Sequence, residues 1–428
     1  MQLLVINSGS SSIKFSVYAV RAKGDLPCSL IEGQLSDIGE PESRLVVQQT
    51  GRGSPLESRV GIHGVSEAIS AVLDVVSGRG MPEFEAVGYR VVHPGPRLRE
   101  HTRITPQVLA ELDAASAYAP LHDPAAVQMI RTFSQRFPEL PQYACFDTVF
   151  HQTMPLEAST YALPLELTAR GVRRYGFHGL SCESIVQQLS SKEGRNGPLP
   201  RRMAIAHLGS GCSVTALQDG RSVDTTMGLT PTGGVVMGTR PGDLDPGLVL
   251  FLLREKIGVP QDGRAGSKDA LDAVQTLLNH GSGLAALSGM ENNVKEIRAA
   301  ANAGRQSARL ALQVFTRSVR KALGASCWLL GGLDAMVFSG GIGENDAQTR
   351  QEIVAGMEEL GVSLDPGLNQ RAAGGILRIS APGSRTQVLI VPAQEDRMVA
   401  VHVARLLTEG RSSGRQMPKN NWRSTRKG

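Results

Sequence analysis

The chain has no Cys-x-x-Cys pair, and its five cysteines, Cys28, Cys145, Cys182, Cys212 and Cys327, are odd in number and widely scattered. That excludes a disulfide framework and a cysteine-built zinc site, and it points to a reducing compartment. His-Glu-x-x-His and other paired-histidine spacings are missing too, which sets zinc hydrolases aside. No complete Gly-x-Gly-x-x-Gly or Walker pattern occurs, so neither a Rossmann nor a P-loop reading holds. The N-terminus, MQLLVINSGS, lacks a basic leader and a cleavage site, and no apolar run reaches about 18 residues. A cytoplasmic protein without membrane contact is expected. Net charge is also scarce once the end of the chain is set apart. The formal +5 owes much to Arg411, Arg415, Lys419, Arg423, Arg426 and Lys427, in a stretch poor in apolar residues that reads as a disordered tail. A nearly neutral body argues against nucleic-acid binding.

What the chain does have is length and apolar content. Its 428 residues, 41% hydrophobic, exceed what one core usually supports, so two domains are expected. Met1 to Asn7 is an apolar run ending in a Gly/Ser turn, and Ile13 to Val20 resumes as a strand, predicting an opening hairpin. A second strand–turn–strand, Ala204–Leu208 and Cys212–Leu217 around Gly209-Ser210-Gly211, echoes the first and suggests two halves on related plans. Helical patterns at Val65–Ser77 and Pro124–Phe137 alternate with apolar strands at Ala86–Val92 and Gln142–Phe146, as in layered α/β proteins. Residues 190–200 and 258–267 read as loops, and 299–330 carry one long amphipathic pattern. The strand Ala335–Ser339 leads into a turn at Gly340–Gly343, and Gln387–Val391 into a helix ending near Leu407. These signals place a first domain at 1–147 with a segment of about 386–408 returning to it, a second at 148–385, and the tail at 409–428.

Four stretches carry chemistry. Asn7-Ser8-Gly9-Ser10-Ser11-Ser12-Ile13-Lys14 gathers an amide, hydroxyls and an ammonium in one turn, as a polyphosphate site requires, although a serine-rich surface turn reads the same way. Gly340-Gly341-Ile342-Gly343-Glu344-Asn345 follows an apolar strand and suits either a nucleotide site or a plain tight turn. The stretch from Ser222 to Asp243 is polar and too long for an ordinary connection, and Arg240 within it suits a forked grip on phosphate or carboxylate. His122, His151, His178 and His207 fall near strand ends or turns, where a structural histidine is the commoner finding.

Ten segments in order, NSGSSSIKF, RVVHPG, PLHDP, FDTVFHQTMP, RRYGFHG, HLGSGCSV, SVDTTMGLTP, MGTRPGDLDPG, FSGGIGEN and VPAQED, run from residue 7 to 396. Together they resemble the acetate and propionate kinase family of the sugar kinase, heat-shock ATPase and actin-like superfamily. The resemblance implies a two-domain α/β fold of the ribonuclease H-like, actin-like ATPase (ASKHA) type with a cleft between the domains. It also implies phosphoryl transfer from ATP to the carboxylate of acetate, or of propionate as the alternative, with Mg²⁺, or Mn²⁺ in its place, and a homodimer.

Residue by residue, the resemblance implies that Arg90 and Arg240 flank the acyl phosphate, that His178 donates to the phosphoryl group in flight, and that Asp147 lies near the reacting carboxylate. Asn7 and Glu395 match the magnesium-holding groups, and Val92, Leu121, Phe177 and Pro231 a small alkyl pocket. Ser10, Ser12 and Lys14 match the phosphate turn, with His122 and His207 as supporting donors. The nucleotide would meet His207, Leu208, Gly209, Ser210 and Gly211, then Asn293, Val294 and Lys295, then Gly341, Ile342, Gly343, Glu344 and Asn345. Loss of either arginine is expected to cost at least about 10²–10³ in rate with folding intact.

Departures from the family pattern bear on donor and acyl preference. Ser210 stands for an Asn that contacts nucleotide phosphate, and Asn293 to Lys295 replace an acid, an apolar or aromatic residue and Arg near ribose and base. Tyr89, Pro94, Leu180, Cys182, Thr232 and Gly233 also differ. Two rival readings stand beside the first: a carboxylate kinase with another donor, such as GTP or pyrophosphate, and a non-kinase ATPase on the same fold.

Overall fold

The structure, a computed structural model, describes residues 1–9, 12–21, 26–51, 53–78, 80–119, 123–191, 198–257, 267–371 and 374–412, with backbone alone at 117, 267, 411 and 412. Two compact units divide the chain: Met1–Val149 with Gln394–Gly428, and Phe150–Ala393.

The first unit is built on strands β1 (Gln2–Ser8), β2 (Ser12–Ala19), β3 (Cys28–Ser36), β4 (Ser43–Gln49), β5 (Leu56–Val60), β6 (Ala86–Val91), β7 (Thr102–Arg103) and β8 (Gln142–Phe146). They lie in one sheet in the order β5-β4-β3-β2-β1-β6-β8-β7. β1 pairs antiparallel with β2, as expected of an opening hairpin, and parallel with β6, which pairs parallel with β8. The central strands are nearly continuous apolar runs because helices cover both faces: Leu3 to Ile6 and Tyr143 to Phe146 are all buried. The outer strand β5, Leu-Glu-Ser-Arg-Val, is largely exposed.

Helices Val65–Ser77 and Asp123–Arg136 cover one face through Ile69, Val72, Val76, Val127, Ile130 and Phe133. The helix Glu395–Ser412 packs on β1 and β6. Its close approach depends on Gly88 in β6, where an added Cβ would lie 2.6 Å from Val403 Cγ2 and 2.7 Å from Val399 Cγ1. Gly88→Val should therefore overpack this seam and cost about 1–3 kcal/mol, read as a lowered denaturation midpoint. An unchanged midpoint would show that the helix can lift without penalty.

The second unit uses β9 (Arg202–Leu208), β10 (Cys212–Gln218), β11 (Arg221–Thr225), β12 (Ala335–Ser339), β13 (Leu377–Arg378) and β14 (Gln387–Ile390), in the order β11-β10-β9-β12-β14-β13. β9 and β10 form the second hairpin, β12 runs parallel to β9, and β14 parallel to β12. The five core strands β11-β10-β9-β12-β14 thus repeat the order and directions of β3-β2-β1-β6-β8. The echo between the two Gly/Ser hairpins was the visible part of that repetition.

Several expectations need correction. Gln387–Ile390 does not return to the first unit but pairs with β12, so the second unit extends to Ala393. The last helix runs to Ser412 rather than ending near Leu407, so residues 409–412 continue it; the rest of the proposed tail, 413–428, lies outside the described residues. The long pattern at 299–330 is two helices, Val294–Asn302 and Gln306–Leu329, because Gly304 takes a left-handed φ of 98° between them. Gly340–Gly343 is not a turn but the start of a short helix, Gly340–Asn345. Ser222–Thr225, read as loop, belongs to β11. Of the two loops, 192–197 and 258–266 lie outside the described residues.

Candidate active site

The first unit offers a row of polar residues across its sheet. Asn7 sits opposite Lys14 on β2 and opposite Arg90 on β6, so the three lie side by side on one face near the strand ends. Arg90 grips Asp147 in a fork, Nη2 to Oδ2 at 2.6 Å and Nε to Oδ1 at 3.0 Å. Its Nη1 donates to Asn7 Oδ1 at 3.3 Å and lies 3.2 Å from Glu395 Oε2. Burial works against the charge on Arg90, but Asp147 and Glu395 outweigh it and hold the guanidinium above its ordinary value. Asp396 accepts from Asn7 Nδ2 at 3.4 Å; burial, with Glu395 beside it, raises its carboxyl, and Lys14 and Arg90 oppose the rise. Val92 follows β6, half-buried, while Ser12 opens β2. Ser10, Leu121 and His122 lie outside the described residues.

The second unit gathers the other candidates. His178 caps the helix Gly179–Ser190 with a left-handed backbone, φ 58° and ψ 26°, a conformation a non-glycine residue holds only under local constraint. Its ring stacks on His207 with centroids 4.2 Å apart, and its Nδ1 lies 3.0 Å from Ser213 Oγ. His207 is held in turn by Ser181, 2.8 Å from its Nδ1. Arg240 donates from Nη1 to Pro231 O at 3.0 Å, and burial lowers its guanidinium from the ordinary value. Gly211 ties these groups together: a Cβ built there would lie 3.3 Å from His178 Nε2 and 3.6 Å from Arg240 Nη1. Two donors therefore converge on the β9–β10 turn, and the absent side chain leaves room between them.

Phe177 is buried, and its carbonyl receives the Nε2–H of His151 at 2.9 Å, so His151 Nδ1 accepts from Ser222 at 2.9 Å. Burial lowers the His151 pKa to about 4, against the pull of that carbonyl, and the ring is a neutral strut. Gly176 beside it is required: φ is 75°, and a Cβ would lie 2.5 Å from Thr225 Cγ2.

The nucleotide candidates of this unit are also neighbours. Gly340 has a φ of 75° and approaches Leu208, whose carbonyl oxygen would lie 2.7 Å from an added Cβ. Ser210 Oγ accepts from Asn292 Nδ2 at 3.0 Å, linking the 209–211 turn to the segment before Asn293, Val294 and Lys295. Asn293 caps its helix, accepting from Lys295 N at 3.1 Å and donating to Glu296 at 2.7 Å. Glu344 turns inward, its Oε1 accepting from Gly340 N at 2.9 Å and Ala393 N at 3.1 Å. Gly341 and Asn345 stay exposed, while Ile342 and Gly343 are buried. Gly343 O receives Arg350 Nη1 at 2.8 Å.

Sequence reasoning missed Ser213, Ser181, Asn292 and Arg350, and the role of Ser222 as a partner of His151, because these come from strand register and from contacts distant in the chain. It also missed Asp123, for which a signal existed: an acid before proline at a helix start. Asp123 is 1% exposed, and its Oδ1 accepts the N–H groups of Val92 and His93 at 3.1 and 3.3 Å.

A family profile described as the acetokinase family matches residues 2–401. Acetate kinase of Halothermothrix orenii is 37% identical over 415 residues, covering 95% of this chain and 100% of that protein. Acetate kinase of Streptomyces coelicolor is 39% identical over 413 residues, covering 95% and 97%. Among solved structures, Porphyromonas gingivalis acetate kinase superposes with a TM-score of 0.79 at 33% identity, covering 95% and 99%. A propionate kinase from Francisella tularensis gives 0.81 at 33%, covering 94% and 98%.

Proposed function

The chain belongs to the acetokinase family, and from that premise we propose that it phosphorylates acetate with ATP, reversibly, giving acetyl phosphate and ADP by direct in-line transfer. It is a phosphotransferase with a carboxyl group as acceptor. A carboxylate oxygen is already a nucleophile and needs no general base. It attacks the γ-phosphorus, a P–O bond forms, and the bond to the ADP oxygen breaks. Charge repulsion between two anions is the obstacle, and positive groups that position and neutralise are the remedy.

The observation that carries this reading is the convergence of His178 Nε2 and Arg240 Nη1 on the empty side of Gly211. As transition-state stabilisers they would neutralise the equatorial oxygens of the phosphoryl group. On the first unit Arg90, preset by Asp147, would take the carboxylate, with Val92 as its alkyl contact; on the second unit the candidates for the alkyl end are Phe177 and Pro231. Lys14 and the 208–211 turn would meet the nucleotide phosphates.

Asn7 Oδ1 and Glu395 Oε2, both against Arg90 Nη1, are hard oxygen donors of the kind Mg²⁺ takes alongside substrate phosphates, so they fit the ion. When bound, it would neutralise β- and γ-phosphate charge.

Among the described residues no helix is long and apolar enough to cross a membrane, and all five cysteines are free thiols, which suits a reducing cytoplasm. A second copy of the chain is the partner proposed for the helix Pro246–Arg254, which buries none of its residues and leaves Leu250 and Phe251 more than half exposed.

An acyl hydroxamate assay across ATP, GTP and pyrophosphate, each with acetate, propionate and butyrate, tests the proposal. Acyl phosphate formed from ATP with the two short acids is the expected result; ATP hydrolysis without acyl phosphate would overturn it. The second reading, another donor, has its own support: Ser210 and Asn293 are engaged with Asn292, Lys295 and Glu296. Product with GTP or pyrophosphate and little with ATP would select it.

A further inference from the structure

Asp123 opens the helix Asp123–Arg136 and is 1% exposed. Its two oxygens are treated differently. Oδ1 accepts two backbone N–H groups, from Val92 and His93, whereas Oδ2 is buried and meets no hydrogen-bond partner among the described residues. An ionised carboxylate would leave charge on an unsolvated oxygen, at considerable cost. A neutral carboxylic acid fits the site better, with a carbonyl-like Oδ1 taking both N–H groups and the proton on Oδ2.

Arg90 of β6 and Asp147 beyond β8 lie within electrostatic reach of it, and Glu395 of the last helix pairs with Arg90 Nη1 at 3.2 Å. His93, whose ring stacks on Tyr118 at 4.8 Å, follows Val92. Burial raises the Asp123 carboxyl to about 8; the two backbone N–H groups resist, Asp147 adds to the rise and Arg90 opposes it.

We propose that Asp123, in its neutral acid form, is a positioning residue for the acyl substrate: it clamps the backbone at Val92 and His93 without adding negative charge beside Arg90. This rests on the proposed function, in which Val92 lines the alkyl pocket and Arg90 receives the carboxylate. Ionisation of Asp123 would set a second negative charge against the Arg90–Asp147 pair and the incoming anion. The nucleotide would not feel that change in the same proportion.

The test uses the full chain with Mg²⁺, wild type and Asp123→Asn, and follows KM for acetate and for ATP between about pH 6 and pH 9. Linkage to one proton predicts that the wild-type KM for acetate climbs toward about tenfold per unit beyond about pH 8, while KM for ATP stays level. The amide keeps the acceptor and carries no charge, so Asp123→Asn should give a level acetate KM and a kcat near wild type at pH 7. A limb that persists in Asp123→Asn, or one that appears equally in both Michaelis constants, overturns the proposal.

Thermal unfolding supplies a readout apart from activity. The folded acid holds its proton more tightly than the unfolded one, so this group costs stability progressively as pH rises from about 4 to about 8. The Tm of Asp123→Asn minus that of wild type should grow across that window and then level off. A constant difference shows an ionised Asp123 and sinks the idea. Absence of acyl phosphate at every pH would instead sink the functional reading, with the thermal comparison still deciding where the proton lies.

Discussion

Arg240→Ala should lower kcat for acyl phosphate formation by about 10²–10³, the usual cost of one transition-state donor. The side chain hydrogen-bonds Pro231 O at 3.0 Å and lies 3.8 Å from Met237 Sδ, both within the 226–243 stretch. Losing such a contact typically removes about 1 kcal/mol of stability, so the variant should fold. Arg240→Lys keeps a charge but not the planar fork and should recover only part of the rate. Single-turnover acyl phosphate formation, with circular dichroism as a folding control, decides the matter. Turnover near wild type in a folded Arg240→Ala would remove the residue from the reaction.

Arg90→Ala should behave differently, because it attacks the fold as well as the chemistry. Asp147 is 1% exposed and holds two of the guanidinium's hydrogen bonds. Without Arg90 its carboxylate stays buried and loses its forked cationic partner, a change that costs about 3–5 kcal/mol. The sequence-based expectation that folding survives intact is therefore withdrawn for this arginine, though not for Arg240. The double variant Arg90→Met with Asp147→Leu removes both charges and should regain much of the stability while remaining inactive. If Arg90→Ala melts like wild type, the ion pair is relaxed by water. If the double variant turns over, the carboxylate does not need Arg90.

Much of this was legible in the sequence because local signals agreed with the final structure. The central strands announced themselves as short apolar runs, and β8 and β12 fall where those runs predict. Helix Val65–Ser77 likewise begins and ends at its predicted limits. Strands β3 to β5 went unread: their few Leu, Ile and Val residues are diluted by Ser, Glu, Gln and Arg, as befits the edge of a sheet with one wet face. The candidate site residues came from resemblance, but the struts beneath them had no such signal. Ser213 reaches His178 across 35 positions, and Ser222 reaches His151 across 71. No periodicity carries such pairings. The proton on Asp123 was invisible for a related reason: it follows from burial, which only the folded chain creates.

The last helix has a consequence for biosynthesis. Asn7 Nδ2 and Asp396 are hydrogen-bonded across 389 positions, so the Arg90 cluster lacks its final carboxylates until almost the whole chain has emerged. At ribosomal rates of about 5–20 residues per second that interval is roughly 20–80 s. During it the nascent N-terminal sheet exposes the apolar surface of β1 and β6 that Val399 and Val403 later cover. A stalled or prematurely terminated product would therefore leave this seam uncovered, with the apolar faces of β1 and β6 open to other chains.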